Sequence, residues 1–281
     1  MALVPFRRRR RATAVTTAAA APAAEPDPWG DEVEEQGGDA RMTFLEHLDE
    51  LRRRLVISAA AIGVGCAIAF TFVGQIYTFI MHPLGLLLPK GSNFIYTEPT
   101  EAFVLYLKMS LLAGFILAMP VVLLQVWLFV APGLYAREKR LAIPFIVLAT
   151  VGFVGGVAFS HYIAFPWMWR FLGSFANQDL VFAPKIQPVF SLYVKMALGM
   201  GAVFQMPAIV YFLARLGIVT AGFLLRKFKY AVLIIFIAAA VITPSGDPVT
   251  QLILAGPMTG LYIISIFIAW VFGRKRDPET A

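Results

Sequence analysis

Residues 103–130 read FVLYLKMSLLAGFILAMPVVLLQVWLFV, an apolar run in which Lys108 is the one charged residue. A helix of about 20 apolar residues is long enough to cross the hydrocarbon core of a bilayer. The run therefore predicts a membrane-spanning helix. The whole chain agrees with this interpretation, because 59% of its 281 residues are hydrophobic, 15% are charged and the mean hydropathy is +0.74. This composition excludes a soluble domain.

Further apolar stretches predict five more spans. A short one, 230–242, is retained as span five, because omitting it would leave an odd number of crossings. We pair it with the last span through the turn at 243–248, which is rich in Pro, Gly and Ser. The predicted fold is an all-α integral membrane protein with six transmembrane helices. The other four stretches, all of full length, are 55–80, 142–165, 189–214 and 249–272.

The distribution of Lys and Arg predicts the orientation. Residues 1–54, the loops 132–141 and 215–229, and the tail 273–281 carry nine, three, four and three of these residues. The alternate loops 81–102, 166–188 and 243–248 together carry only three: Lys90, Arg170 and Lys185. Because basic residues concentrate in cytoplasmic loops, both termini are predicted to be cytoplasmic. The excess of basic residues fits membrane loops better than a nucleic-acid surface.

The chain is predicted to have three parts. Residues 1–41 combine an arginine cluster with an Ala- and Pro-rich stretch and an acidic run. Such a segment cannot bury a core, so we predict a disordered cytoplasmic N-terminal tail. A six-span membrane domain follows at 42–272, and a basic cytoplasmic tail at 273–281. Cys66 is the single cysteine, which excludes an intrachain disulfide. No metal site, cofactor site or catalytic motif is predicted, so the chain is not expected to be an enzyme.

Spans two and four resemble each other. Residues 103–120 and 190–207 match at nine of eighteen positions, and each segment has a Lys followed twelve residues later by a Pro. The pairs are Lys108 with Pro120, and Lys195 with Pro207. We expect both helices to direct the Lys toward the outer headgroups and to kink at the Pro.

Residues 43–55 read TFLEHLDELRRRL, which predicts an amphipathic helix leading into span one. Two interpretations of Glu50 remain open. It could simply pair with Arg54 at i,i+4 spacing. Alternatively, Glu50 and Glu138, the one carboxylate of the inner loops between spans, could bind a basic ligand, since the planar fork of arginine binds carboxylates bidentately.

Other polar and small residues within the spans favour helix packing. Gln125 and Gln205 are expected to form hydrogen bonds between helices. Small residues predict two packing notches, one formed by Gly152 and Gly156, the other by Ala59, Gly63 and Ala67.

Three segments carry a resemblance to a known family: 44–54 (FLEHLDELRRR), 125–135 (QVWLFVAPGLY) and 137–140 (REKR). Together they closely resemble TatC, the multispanning core of the twin-arginine protein translocase. The resemblance implies six spans, with spans five and six short and both termini cytoplasmic, in a bacterial or organellar cell membrane. It also implies binding of the twin-arginine signal peptides of folded precursors and recruitment of small single-span TatA/TatB-type subunits. Self-association in a larger complex and transport driven by the proton-motive force are implied too, without a cofactor.

The resemblance also assigns roles to individual residues. Many family members carry acids where this chain has Gln205 and Ile263, so partner docking is expected to differ in detail. The implied signal-peptide site comprises Glu50, Glu138, Arg52, Phe129 and Tyr135. The implied partner-helix docking residues are Gln205, Thr243 and Gln251. The structural prolines are Pro83, at a recurrent family position, and Pro120 and Pro207 of spans two and four.

Two alternatives stay open at this point. A small-solute permease would line a midplane site with kinked spans two and four, but the span interiors lack the charged or broken-helix features of such sites. A scaffold with no transport role would not explain the acids Glu50 and Glu138 on the inner face.

Overall fold

A computed structural model describes residues 44–88, 92–131, 142–176, 182–243 and 247–273. The predicted N-terminal tail and all of the predicted C-terminal tail but Gly273 therefore lie outside the described residues, as does half of the predicted turn at 243–248. In the described ranges the chain is helical, and an isolated bridge joins Ile95 to Lys185. The helices are α1 (Phe44–Thr71), α2 (Val73–Leu86), α3 (Glu101–Val130), α4 (Ala142–Phe159), α5 (Phe165–Gly173), α6 (Ile186–Val203), α7 (Met206–Arg215), α8 (Ala221–Arg226), α9 (Phe228–Ile242) and α10 (Pro248–Phe272).

Five segments are long and apolar enough to cross a membrane: Glu46–Thr71, Glu101–Val130, Ala142–Gly173, Ile186–Arg215 and Pro248–Phe272. With the short apolar helix α9, they confirm the predicted all-α fold. The expectation that the last two spans are both short is wrong for span six. Helix α9 has 15 residues, whereas α10 has 25, which corresponds to about 37 Å of helix.

Span three is longer than predicted. After α4 the backbone forms one π-helical turn at Ser160–Ala164 and then continues as α5 to Gly173. Pro166 is the second residue of α5, and without an N–H it cannot make the backbone hydrogen bond of an unbroken α-helix. The π-helical turn therefore precedes the proline and lets the helix continue past residue 165, where we expected it to end.

The structural prolines lie in different backbone settings. Pro83 and Pro120 are inside the continuous helices α2 and α3. Span four is instead interrupted at residues 204 and 205, and Pro207 lies in the first turn of α7. The two similar spans thus share the spacing from Lys to Pro but not the break, which occurs in span four alone.

Glycines set the closest helix crossings. A Cβ on Gly65 of α1 would lie 2.6 Å from the carbonyl oxygen of Gly114 on α3. A Cβ on Gly156 of α4 would lie 2.5 Å from the carbonyl oxygen of Met200 on α6. The predicted notch at Gly152 and Gly156 is confirmed, because a Cβ on Gly152 would meet the carbonyl oxygen of Phe204 at 2.9 Å.

The predicted notch on α1 is wrong. Nothing lies within 4 Å of a Cβ built on Gly63, and Ala59 and Ala67 are exposed. Gly65, on another face of the helix, makes the crossing instead. Repeated small residues indicated that α1 packs closely, but which face does so depends on where α3 lies.

Candidate functional site

The N-terminal part of α1 and the C-terminal part of α3 meet through side chains of matching helical spacing. On α1, residues 47, 50 and 54 fall on one face because a helix turns once in 3.6 residues. On α3, residues 125 and 129 are one turn apart. We call His47, Glu50, Arg54, Gln125 and Phe129 the Glu50 site.

Arg54 links the two helices. Its Nη2 donates to Oε1 of Glu50 at 3.1 Å, and its Nη1 donates to Oε1 of Gln125 at 3.2 Å. The side chains are 23% exposed for Arg54 and 13% for Glu50, so the ion pair is largely shielded from water. Shielding makes a charge-assisted hydrogen bond stronger than its counterpart on an open surface.

One polar atom of each partner in the ion pair lacks a hydrogen bond. Oε2 of Glu50 and Nε of Arg54 are buried and make no hydrogen bond to any described residue. A buried polar atom without a hydrogen-bond partner is costly, so such an atom gains strongly when a complementary group reaches it. Oε2 of Glu50 can therefore accept a hydrogen bond from a cationic ligand without breaking the bond to Arg54.

An aromatic contact lies at the same end of the two helices. The rings of His47 and Phe129 stack with their centroids 4.5 Å apart and their planes at 26°. His47 is exposed and Phe129 is half-buried. The stack provides a flat apolar surface beside a carboxylate, and such a surface suits both the stem and the planar head of an arginine.

The five predicted signal-peptide residues have different positions. Glu50 and Phe129 both belong to the Glu50 site. Arg52 is exposed on α1 and makes no ion pair with the described residues. Tyr135 and Glu138 lie outside the described residues. The predicted second carboxylate is therefore not located here.

Sequence reasoning did not assign Arg54, Gln125 or His47 to a binding site. The i,i+4 spacing of Glu50 and Arg54 predicted their ion pair, which the structure confirms. Gln125 was expected to bond between helices, and it does so through Arg54. The available signal was spacing: Gln125 precedes Phe129 by one helical turn, and His47 precedes Glu50 by three residues.

The three predicted docking residues each make a hydrogen bond within the chain. Nε2 of Gln205, at the break between α6 and α7, donates to the carbonyl oxygen of Ala149 on α4 at 2.9 Å. Nε2 of Gln251 on α10 donates to the carbonyl oxygen of Phe236 on α9, also at 2.9 Å. Thr243 is buried, and its hydroxyl donates to the carbonyl oxygen of Ala239.

Comparison with known proteins assigns the family. The family described as "Sec-independent protein translocase protein (TatC)" matches residues 46–257. The chain belongs to the TatC family. A TatC of Desulforapulum autotrophicum is 42% identical over 241 residues, covering 86% of this chain and 89% of the relative. A TatC of Koribacter versatilis is 42% identical over 239 residues, covering 83% and 87%.

A solved TatC structure agrees with the assignment. The crystal structure described as "Twin Arginine Translocase Receptor- TatC" superposes with a TM-score of 0.70 at 36% identity, covering 80% of this chain and 98% of the other. The chain described here is thus a multipass membrane protein and a component of a Sec-independent protein translocase, a complex with other Tat subunits. TatC is a transport subunit rather than an enzyme, and the permease and scaffold alternatives are set aside.

Proposed function

We propose that this chain binds the paired arginines of twin-arginine signal peptides at the Glu50 site and thereby receives folded precursors for export. The observation that carries the proposal is the buried Oε2 of Glu50, which has no donor among the described residues. An arginine guanidinium matches it, because its planar N–H groups reach a carboxylate oxygen while the plane packs on an aromatic ring. The stacked rings of His47 and Phe129 lie at the same end of the helices.

Further residues complete the proposed peptide site. Glu138 supplies a second carboxylate, so that each arginine of the pair has an acid. Tyr135 adds an aromatic surface beside it, as the family resemblance implies. Arg52 is exposed on α1. Its charge repels a cationic side chain that approaches at the wrong position, and its guanidinium can donate a hydrogen bond to a carbonyl oxygen of the peptide.

The proposed orientation places both termini in the cytoplasm. Its support is the positive-inside rule, since the loops on the side of the termini hold most of the Lys and Arg. With this orientation the Glu50 site faces the compartment in which precursors fold. As the family resemblance implies, we also propose that the proton-motive force drives transport.

We place the docking of small single-span TatA/TatB-type subunits at Gln205, Thr243 and Gln251. Each glutamine donates one hydrogen bond to a backbone carbonyl, and its side-chain oxygen makes none with the described residues. That oxygen can accept from a polar residue of a partner helix. Co-purification of the small subunits should fall for Gln205→Leu and Gln251→Leu and persist for Gln205→Glu. Gln75→Leu, at an exposed position on α2, is the control.

Binding of labelled peptides to the full chain tests the signal-peptide proposal. In nanodiscs, fluorescence anisotropy should show that a signal peptide with its paired arginines (RR) binds more tightly than the same peptide with two lysines in their place (KK). A hydrogen bond to a charged group contributes about 1.5 to 3 kcal/mol, so Glu50→Gln should weaken RR binding about 10- to 150-fold. The ratio of RR affinity to KK affinity should fall as well.

Asp49→Asn is the matched control. It removes a carboxylate from the adjacent, exposed position of α1 and should leave both affinities unchanged. If the RR to KK ratio stays the same in Glu50→Gln, Glu50 does not bind the arginine pair.

A further inference from the structure

A cavity of about 550 Å³ lies where α1, α3 and α6 face one another. Its wall on α3 repeats at helical spacing through residues 108, 111, 112 and 115, and its wall on α6 repeats through 190, 191, 194, 195 and 198. Apart from two lysines and one serine, the lining is apolar. The lining residues are Ile62, Lys108, Leu111, Leu112, Phe115, Phe190, Ser191, Val194, Lys195 and Leu198.

The two lysines occupy equivalent positions of the similar spans two and four. Lys108 is about 10 Å along α3 from its first residue, and Lys195 about 14 Å along α6 from its own. Both are exposed, and neither forms an ion pair with a described residue. The acid nearest to Lys108 along α3, Glu101, already accepts hydrogen bonds from the backbone N–H groups of Thr97 and Glu98.

Charged groups at membrane depth are costly, and they pair with an opposite charge or extend to the headgroup layer. Two ammonium groups at one cavity concentrate positive charge without a countercharge among the described residues. The hydroxyl of Ser191 also makes no hydrogen bond to these residues and lies one turn before Lys195. The cavity thus offers three donors above an apolar wall about 10 to 12 Å long.

We propose that this cavity is a binding site for an anionic phospholipid. The phosphate accepts hydrogen bonds from Lys108, Lys195 and Ser191, and one acyl chain lies along the apolar wall formed by Leu111, Phe115 and Leu198. The lipid supplies the missing negative charge and fills an apolar space that water would leave unfavourably hydrated. A zwitterionic lipid fits the wall equally well, but its positive headgroup repels the lysines.

Native mass spectrometry of the full chain, titrated with phosphatidylglycerol or phosphatidylcholine, tests the site. The wild-type protein should prefer phosphatidylglycerol. Lys108→Gln and Lys195→Gln should each lower this preference about 5-fold, which corresponds to about 1 kcal/mol per lysine, and the double variant should abolish it. Lys108→Arg and Lys195→Arg keep the charge and should keep the preference.

Lys185→Gln is the matched control, because Lys185 is an exposed lysine at the start of α6 that does not line the cavity. Its lipid preference should equal that of the wild type. A photoactivatable phosphatidylglycerol should label peptides spanning 108–115 and 190–198. Unchanged lipid preference in the double variant, or labelling confined to other helices, would overturn the proposal. Loss of co-purified single-span subunits with unchanged lipid preference would assign the lysines to a protein partner and also overturn it.

Discussion

Nη2 of Arg54 donates to Oε1 of Glu50 at 3.1 Å across one turn of α1, while the other carboxylate oxygen of Glu50 stays buried without a described partner. Glu50 thus binds Arg54 through one oxygen, while its other oxygen can still accept a hydrogen bond. The two interpretations left open by the sequence, an ion pair within the helix and a ligand site, are compatible, because they use different oxygens.

Removing both charges should separate these roles. Glu50→Gln alone leaves a partly buried guanidinium without its counterion, and it should lower the free energy of unfolding by about 1 to 3 kcal/mol. Glu50→Gln combined with Arg54→Gln removes both charges and should recover most of that stability. RR-peptide binding should remain weak in the double variant. Thermal unfolding and anisotropy on the same samples measure the two effects, and recovery of binding along with stability would limit Glu50 to a structural role.

Gln125 should tune the site through Arg54. Gln125→Leu removes the acceptor of Nη1, which frees Nη1 of Arg54 to turn toward Oε2 of Glu50, the oxygen that the peptide would use. A neutral hydrogen bond contributes about 0.5 to 1.5 kcal/mol, so RR affinity should fall about 2- to 10-fold. Gln205→Leu makes the same chemical change away from the Glu50 site and should leave RR affinity unchanged. Equal effects of the two substitutions would point to general destabilisation instead.

Glu138 should act together with Glu50. If both acids contact one arginine pair, Glu138→Gln should weaken RR binding by a factor similar to that of Glu50→Gln. The double substitution should lose less than the sum of the two free-energy changes, since neighbouring groups on one ligand are coupled. Isothermal titration with the RR peptide measures the coupling. Strict additivity would mean that the two acids act at separate sites.

The crossing of α1 and α3 should not tolerate a methyl group. Gly65→Ala places a Cβ 2.6 Å from the carbonyl oxygen of Gly114, a backbone atom that cannot move away freely. Overpacking of this kind costs about 1 to 3 kcal/mol, so the unfolding temperature in detergent should fall. Gly63→Ala, two residues earlier in open space, should leave it unchanged. A Gly65→Ala protein as stable as the wild type would show that the two helices separate readily.

The proposed orientation can be measured by labelling. In a Cys66→Ala background, single cysteines at Ser92 and Asn177 should react with a membrane-impermeant maleimide added outside intact cells. A cysteine at Ala136 should react after the cells are opened. Labelling of Ala136 in intact cells would reverse the orientation.

Properties that depend on composition and local spacing could be predicted from the amino-acid sequence. Hydrophobic length predicted the spans, because each apolar stretch must fit the bilayer whatever its neighbours are. Helical spacing predicted the ion pair of Glu50 with Arg54, since residues four apart lie on one face. The family motifs at 44–54 and 125–140 also needed no tertiary structure.

Which helix faces meet could not be predicted from the sequence and depends on how the helices pack. Gly63 and Gly65 look equally suited to a crossing, and the position of α3 selects Gly65. The contact of Arg54 with Gln125 joins residues 71 positions apart, and Lys108 and Lys195 line one cavity only because α3 and α6 are neighbours. Local patterns cannot give such pairings, because they depend on the packing of whole helices against each other, which no single stretch of sequence contains.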